Sequence, residues 1–347
     1  MDKLNINVNG CPCSSLDDVA KVASADFYQF VAEWLNDEDF VVAHTSGSTG
    51  TPKEVKLQKS DMIASAMRTV EFFSLDKESV LYLNLSPNYI AGKMMIVRAI
   101  VLNATIYEEA ASNAPLSNHN LSVIDLAAFV PSQMQYLLNN EHLLHPIKNI
   151  IIGGGAISEK MKNRIGDMGI NAYATYGMTE TCSHIALARI GRGNEPYKAL
   201  PGISFSTDDR GCLIADVPHL SIKRVVTNDV VELVDNHSFY WHGRWDNVVN
   251  SGGIKIFPEE VEHRIAQFFT GTRFYITSRA SEKWGEELVL ALEYPSLPEG
   301  VVKHGDIIPH FVEKMRMVLP AHSIPRIFVA VRKFDETASG KIKRRKF

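Results

Sequence analysis

His44-Thr45-Ser46-Gly47-Ser48-Thr49-Gly50-Thr51-Pro52-Lys53 is a hydroxyl- and glycine-rich loop closed by one lysine. The apolar run Phe40-Val41-Val42-Ala43 precedes it, and an amphipathic segment starting near Lys59 follows. Placed between a strand and a helix, such a loop suits polyphosphate. Glycines let backbone N–H groups approach the oxygens, hydroxyls add neutral donors, and the lysine supplies a point charge. The G-x-x-x-x-G-K-[ST] spacing of the common P-loop is absent, and Pro52 sits before the lysine. Taken alone, the tract reads first as a solvated linker. Its shortness, its apolar flanks and the rigid proline beside Lys53 argue for a built site.

Working outward, 347 residues suit roughly two or three domains. A composition of 45% hydrophobic and 22% charged residues fits a globular protein with a sizeable core. The net charge of −4 gives no electrostatic case for nucleic acid. No apolar run reaches a membrane span, because Arg98 interrupts the best candidate, Met94 to Leu102. The start of the chain lacks the basic and apolar regions of a secretory signal, and four cysteines make no disulfide framework, so a cytoplasmic location is expected. Cys11-Pro12-Cys13 lacks a zinc-ligand spacing, and His142 and His145 on an expected helix lack further ligands. No G-x-S-x-G elbow supports a serine hydrolase.

Apolar periodicity predicts a helical stretch over Leu16–Leu35 and helices near Ser60–Phe73, Ile90–Leu102 and after Pro131. Strands are predicted at Val80–Leu85, Ala104–Tyr107 and Asn149–Ile152. This alternation argues for an α/β sheet with helices on its faces. From Ser204 to Trp241 short alternating strands such as Cys212–Val217 and Ser221–Val226 predict a β-rich subdomain. A smaller α+β unit is expected after Gly243-Arg244, with a helix opened by Pro258 and charged by Glu259, Glu260 and Glu262.

Three clusters carry further chemistry. Gly153-Gly154-Gly155-Ala156 follows an apolar strand, where glycines leave room for a flat ligand; a tight turn is the equal alternative. Tyr176-Gly177-Met178-Thr179-Glu180 combines a ring for stacking, a hydroxyl for phosphate and a carboxylate for Mg²⁺. The alternative for Glu180 is an N-terminal helix charge or capping partner. The third cluster is dispersed: Asp229 at a strand end, Gly243-Arg244-Trp245-Asp246, Ser251-Gly252-Gly253 and Ser339-Gly340-Lys341. Lys341 sits on a Ser-Gly turn that could swing it into a site, and the basic run Lys343–Lys346 beside it reads as a solvated tail.

In order and wording these clusters resemble the adenylate-forming superfamily of acyl- and aryl-CoA ligases, over residues 40–347. The resemblance implies that Thr45, Ser46, Gly47, Ser48, Thr49, Gly50, Thr51 and Lys53 hold the β- and γ-phosphates of ATP. It places Gly153, Gly154, Gly155 and Ala156 beside adenine. Tyr176, Gly177 and Met178 lie against the base, Thr179 and Glu180 serve catalysis, and Glu180 holds Mg²⁺. Asp229 and Arg244 match the two ribose contacts, Asp246 the hinge, Gly252 and Gly253 the CoA arm, and Lys341 the mobile catalytic lysine. The implied domains are 1–245, for adenylation, and 246–347, mobile. The implied partners are a carboxylic acid, ATP and CoA, with no nucleic acid.

Thr179-Glu-Thr-Cys-Ser183 and Asn250-Ser-Gly-Gly-Ile-Lys-Ile-Phe-Pro narrow the likeness to the o-succinylbenzoate–CoA ligases of menaquinone synthesis. Another acyl- or aryl-adenylating ligase, including one that loads a carrier protein, is the second reading, and a non-catalytic ATP- or acyl-binding module the third. Tyr89, Ser183 and His184 are the acyl-pocket candidates, with Arg189 a further candidate for a distal carboxylate. Only about forty residues precede the phosphate loop, fewer than in most relatives, so a homodimer or a trimmed core is expected. Asn228-Asp229 replaces the commoner glycine-aspartate pair.

Overall fold

In the computed structural model, residues 4–45, 53–117, 121–269, 271–336 and 342–347 are described. The large unit is built on one 13-stranded sheet. Ile6–Val8, Thr105–Glu108, Val80–Leu83, Leu126–Phe129, Ile150–Ile152 and Ala172–Gly177 lie side by side and parallel. The chain runs outward from Val80–Leu83 to Thr105–Glu108, then returns to the opposite side with Leu126–Phe129. Strand order therefore reverses beside Val80–Leu83, the switch point where α/β sheets open a crevice at the carboxyl ends of their strands. The predicted β-rich part is present and extends this same sheet. His184–Arg189 pairs antiparallel with Ala172–Gly177, and Tyr197–Ala199, Ser238–Arg244, Lys223–Asp235, Cys212–Val217 and Ser204–Thr207 follow outward.

Two local expectations in the large unit are corrected. Leu16–Leu35 is two helices, Leu16–Val22 and Ala25–Leu35, because Ser24 starts a new one by accepting from Phe27 N at 3.2 Å. Its hydroxyl and N–H also donate to Glu108. The second helix buries Phe27, Phe30, Val31 and Trp34 at helical spacing, and each such side chain contributes roughly 1.5–3 kcal/mol on removal from water. The opening loop is likewise not bounded by strand and helix. Phe40–Thr45 and Lys53–Gln58 form a separate antiparallel pair in which Thr45 faces Lys53, and the helix Lys59–Phe73 follows at once. Alternation in Lys53-Glu54-Val55-Lys56-Leu57-Gln58 is the strand signal.

A smaller sheet lies beyond residue 245. Ile254–Ile256, Val249–Ser251, Gly285–Glu293, Ile327–Val331 and Val302–Asp306 form its path, with Phe274–Ser281 also on Gly285–Glu293. The helices Pro258–Ile265 and Pro309–Arg316 contribute Val261, Ile265 and Met315 to its core. The basic run at 343–346 is no solvated tail. Arg344 makes a bidentate ion pair with Glu262, one contact at 2.7 Å, and Phe347 N donates to Ser278 O at 3.1 Å. Burying an unpaired guanidinium is costly, and at Arg344 the Glu262 carboxylate offsets that cost. No helix among the described residues is long and apolar enough to cross a membrane.

Candidate active site

The crevice is lined from the strand ends. Asn84, fully buried after Val80–Leu83, donates to Ala110 O at 2.7 Å. Gln133 donates to the Asn84 carbonyl at 2.9 Å and side-chain oxygen at 2.8 Å, while its own oxygen accepts from Val130 N at 3.0 Å. One amide thus ties the two strands on either side of the switch point. Beyond Ile150–Ile152, Gly153 is half-buried and Gly154, Gly155 and Ala156 are exposed. Gly153 N donates to Phe129 O at 3.1 Å, so the loop is anchored at one end and open at the other.

Ala172–Gly177 delivers the tyrosine motif. Gly177 is required by close approach: a Cβ there would stand 2.2 Å from Ser183 O and 2.5 Å from His184 Cα. Next comes a single 3-10 turn, Thr179–Thr181, whose Thr181 hydroxyl accepts from Met178 N at 3.1 Å and donates to Ser183 O at 2.7 Å. Thr179 is half-buried and Met178 packs on the core. Glu180 is exposed, and among the described residues it has no hydrogen bond or ion pair. A free carboxylate of this kind fits Mg²⁺, which takes one or two carboxylates and completes its shell with water and substrate phosphates. Among the described residues no group of three or more His, Cys, Asp or Glu side chains could hold a metal by itself.

Tyr176, Asp229 and Arg244, 68 residues apart in sequence (244 − 176), converge. The Tyr176 hydroxyl donates to Asp229 Oδ2 at 2.8 Å, and burial together with that carboxylate drives its pKa upward. Asp229 and Arg244 are direct cross-strand partners, with Arg244 Nε 3.7 Å from the carboxylate. Trp241, which carries no motif, also donates to Asp229, at 3.3 Å. The Tyr176 ring meets Phe239 edge-on at 5.1 Å. Asp246 pairs with Arg244 at 3.2 Å and accepts from Asn228 at 3.3 Å, which gives the Asn228 side chain a partner. Gly252 and Gly253 form an exposed turn at φ +60° and +83°, and Trp284 covers Gly252 so closely that a Cβ would lie 2.9 Å from its ring. Ser46 to Pro52 and Lys341 lie outside the described residues, as do the side chains of Thr45 and Lys53.

The acyl-pocket candidates separate. Tyr89 is 49% exposed and precedes the helix Ile90–Leu102. Arg189 is exposed, with its guanidinium on Asn171 and over the Tyr173 ring, away from Ser183. Ser183 and His184 instead meet Arg98. Arg98 is 1% exposed; it donates to Ser183 Oγ at 3.1 Å and to Met95 Sδ at 3.5 Å, and its Nε has no partner. Burial lowers its pKa, to about 9, with no carboxylate among the described residues opposing. The sequence signal was the lone charge in Met94–Leu102, which had served only to exclude a membrane span.

With this geometry in place, a family model described as AMP-binding enzyme matches residues 6–223. The chain belongs to the AMP-binding enzyme family. This AMP-binding enzyme is 24% identical over 362 residues to the 2-succinylbenzoate–CoA ligase of Listeria monocytogenes, across 94% of this chain and 74% of that protein. The 2-succinylbenzoate–CoA ligase of Enterococcus faecalis is also 24% identical, over 88% of this chain and 68% of its own. A solved acyl-CoA synthetase (AMP-forming)/AMP-acid ligase II-like protein from Dyadobacter fermentans is 32% identical, covers 92% of both chains and has a TM-score of 0.59. The o-succinylbenzoate CoA synthetase of Bacillus subtilis, solved with its acyl-adenylate, is 19% identical over 87% of this chain and 67% of that one, with a TM-score of 0.72, and shares the fold. The AMP-binding enzyme is an adenylate-forming CoA ligase of the acyl-CoA synthetase type.

Proposed function

We propose that this enzyme activates o-succinylbenzoate with ATP and transfers the acyl group to CoA. The observation that carries the substrate is Arg98, a buried guanidinium with no counter-ion among the described residues, which donates to the half-buried Ser183. A buried cation is strongly disfavoured until an anion meets it. An acid with a second carboxylate completes the pair while its other carboxylate reacts.

The reacting carboxylate attacks the α-phosphorus of ATP, forming the acyl-adenylate and releasing pyrophosphate. Lys341 supplies charge at the α-phosphate, and the Thr45–Lys53 loop holds the β- and γ-phosphates. Gly153–Ala156 and Tyr176 bind the adenine side, and Asp229 with Arg244 binds the ribose. When bound, Mg²⁺ neutralises phosphate charge, with Glu180 as its protein ligand. Residues 246–347 then turn about Asp246, bringing Gly252 and Gly253 to the CoA arm. The CoA thiolate attacks the acyl carbonyl and expels AMP. In-line positioning and charge neutralisation do the catalytic work.

Pyrophosphate release measured across a panel of carboxylic acids tests the substrate. o-Succinylbenzoate should exceed 4-oxo-4-phenylbutanoate, which lacks the ring carboxylate, by about 100-fold in kcat/KM, the scale of one desolvated charge contact. Equal rates would refute the substrate while leaving adenylation intact. Thioester formation with CoA, and none with a phosphopantetheinyl carrier, is the expected second half-reaction.

A further inference from the structure

Arg98 is held by a chain of side chains that runs inward from Ser183 through His184 to Thr69. Ser183 Oγ, which accepts from Arg98 Nη2, lies 3.3 Å from His184 Nδ1. The other ring nitrogen, Nε2, is 3.1 Å from Thr69 Oγ1. Thr69 has no exposed surface and His184 is 6% exposed. They come from different elements: Thr69 from the helix Lys59–Phe73, Arg98 from the helix Ile90–Leu102 packed on it, and His184 from the strand beside the tyrosine motif. Burial and the nearby Arg98 hold the imidazole well below its usual pKa, so it stands neutral at pH 7. Whichever ring nitrogen carries the proton, a neutral imidazole offers one donor and one acceptor, and so closes the chain from Thr69 to Ser183. A protonated ring would place a second cation against Arg98.

We infer that His184 and Thr69 are positioning residues that set the acid specificity of the site by fixing Ser183 and, through it, the guanidinium of Arg98. The inference rests on the reading that Arg98 receives the second carboxylate of the substrate. A buried group can be strict only if its own orientation is locked by neighbours, and an arginine has many rotamers to lose.

The test is the ratio of kcat/KM for o-succinylbenzoate to that for 4-oxo-4-phenylbutanoate, measured on the full chain. Thr69→Val keeps the shape and cuts the chain; it should lower the ratio about tenfold, mainly through a raised KM for the diacid. His184→Asn should lower it similarly, and Thr69→Ser, which keeps the hydroxyl, should restore it. If Thr69→Val weakens both acids alike, so that the ratio stays constant, the residue is merely structural and the inference falls. Arg98→Gln separates the two levels. If it collapses the ratio while Thr69→Val and His184→Asn do not, positioning is wrong and the substrate reading stands. If it leaves the ratio unchanged, the substrate reading itself is overturned.

Discussion

A buried arginine with an unpartnered Nε is an unfavourable residue to keep, which makes Arg98 a measurable compromise between stability and use. Replacing a buried charge by an apolar side chain of similar length is often neutral or stabilising by about 1–4 kcal/mol. Arg98→Met should therefore raise the midpoint of thermal unfolding while abolishing the preference for the diacid. A lowered midpoint would show that Arg98 supports the fold. Its folded pKa, about 9, lies below the ordinary arginine value, so the burden is full at neutral pH and lifts as pH rises through that value. Lys341 makes the opposite case, since its identity was legible only from its neighbours Ser339 and Gly340 and from the order of the motifs. Lys341→Ala should slow pyrophosphate release by several orders of magnitude, roughly 3–5 kcal/mol of lost transition-state contact. Thioester formation from ready-made acyl-adenylate should survive, and equal loss in both half-reactions would sink the domain-rotation proposal.

At the scale of elements, the strands and helices were legible wherever periodicity was clean. Ile90–Leu102 has the predicted bounds, and Pro258 opens its helix. The strand Lys53–Gln58 was readable from its alternation, but two other misread segments share a cause, a side-chain contact that periodicity does not encode. Ser24 divides a helix by capping it, and Glu262 draws Arg344 out of solvent. The turn between Ala172–Gly177 and His184–Arg189 depends on a missing side chain. Gly177→Ala would drive a methyl into Ser183 O and His184 Cα, which are backbone atoms and cannot yield by changing rotamer. Overpacking of this kind costs about 1–3 kcal/mol. Both thermal stability and pyrophosphate release should drop, because the same backbone carries Glu180 on one side and Ser183 on the other. Wild-type values for both would show that the two strands separate freely.

For the whole molecule, the helix Pro258–Ile265 joins the small sheet to the large one through ionisable pairs. Glu260 meets His242 on the strand Ser238–Arg244, and His263 lies 2.8 Å from Glu159 on the helix Glu159–Asp167. The hydrogen bond to Glu260 raises the pKa of His242, whereas burial lowers that of His263. A raised histidine contributes stability that is complete below its unfolded value, near 6.5, and fades as pH climbs through the folded value. His263 acts in the window below 6.5, where stability grows with rising pH. Urea midpoints should therefore fall from pH 6.5 upward through the folded pKa of His242, and His242→Gln should flatten that fall. An unchanged slope in His242→Gln would remove this contact from the pH dependence. The amino-acid sequence by itself determined the family and the order of its motifs: the Thr45–Lys53 loop, the glycine turn, the tyrosine motif and Ser339-Gly340-Lys341 are short contiguous runs, legible without knowing what they meet. Only the tertiary structure decided which distant side chains meet. Tyr176, Asp229, Trp241 and Arg244 converge through cross-strand register, and Arg98 is buried beside Ser183 between two packed helices and one strand, facing no carboxylate among the described residues.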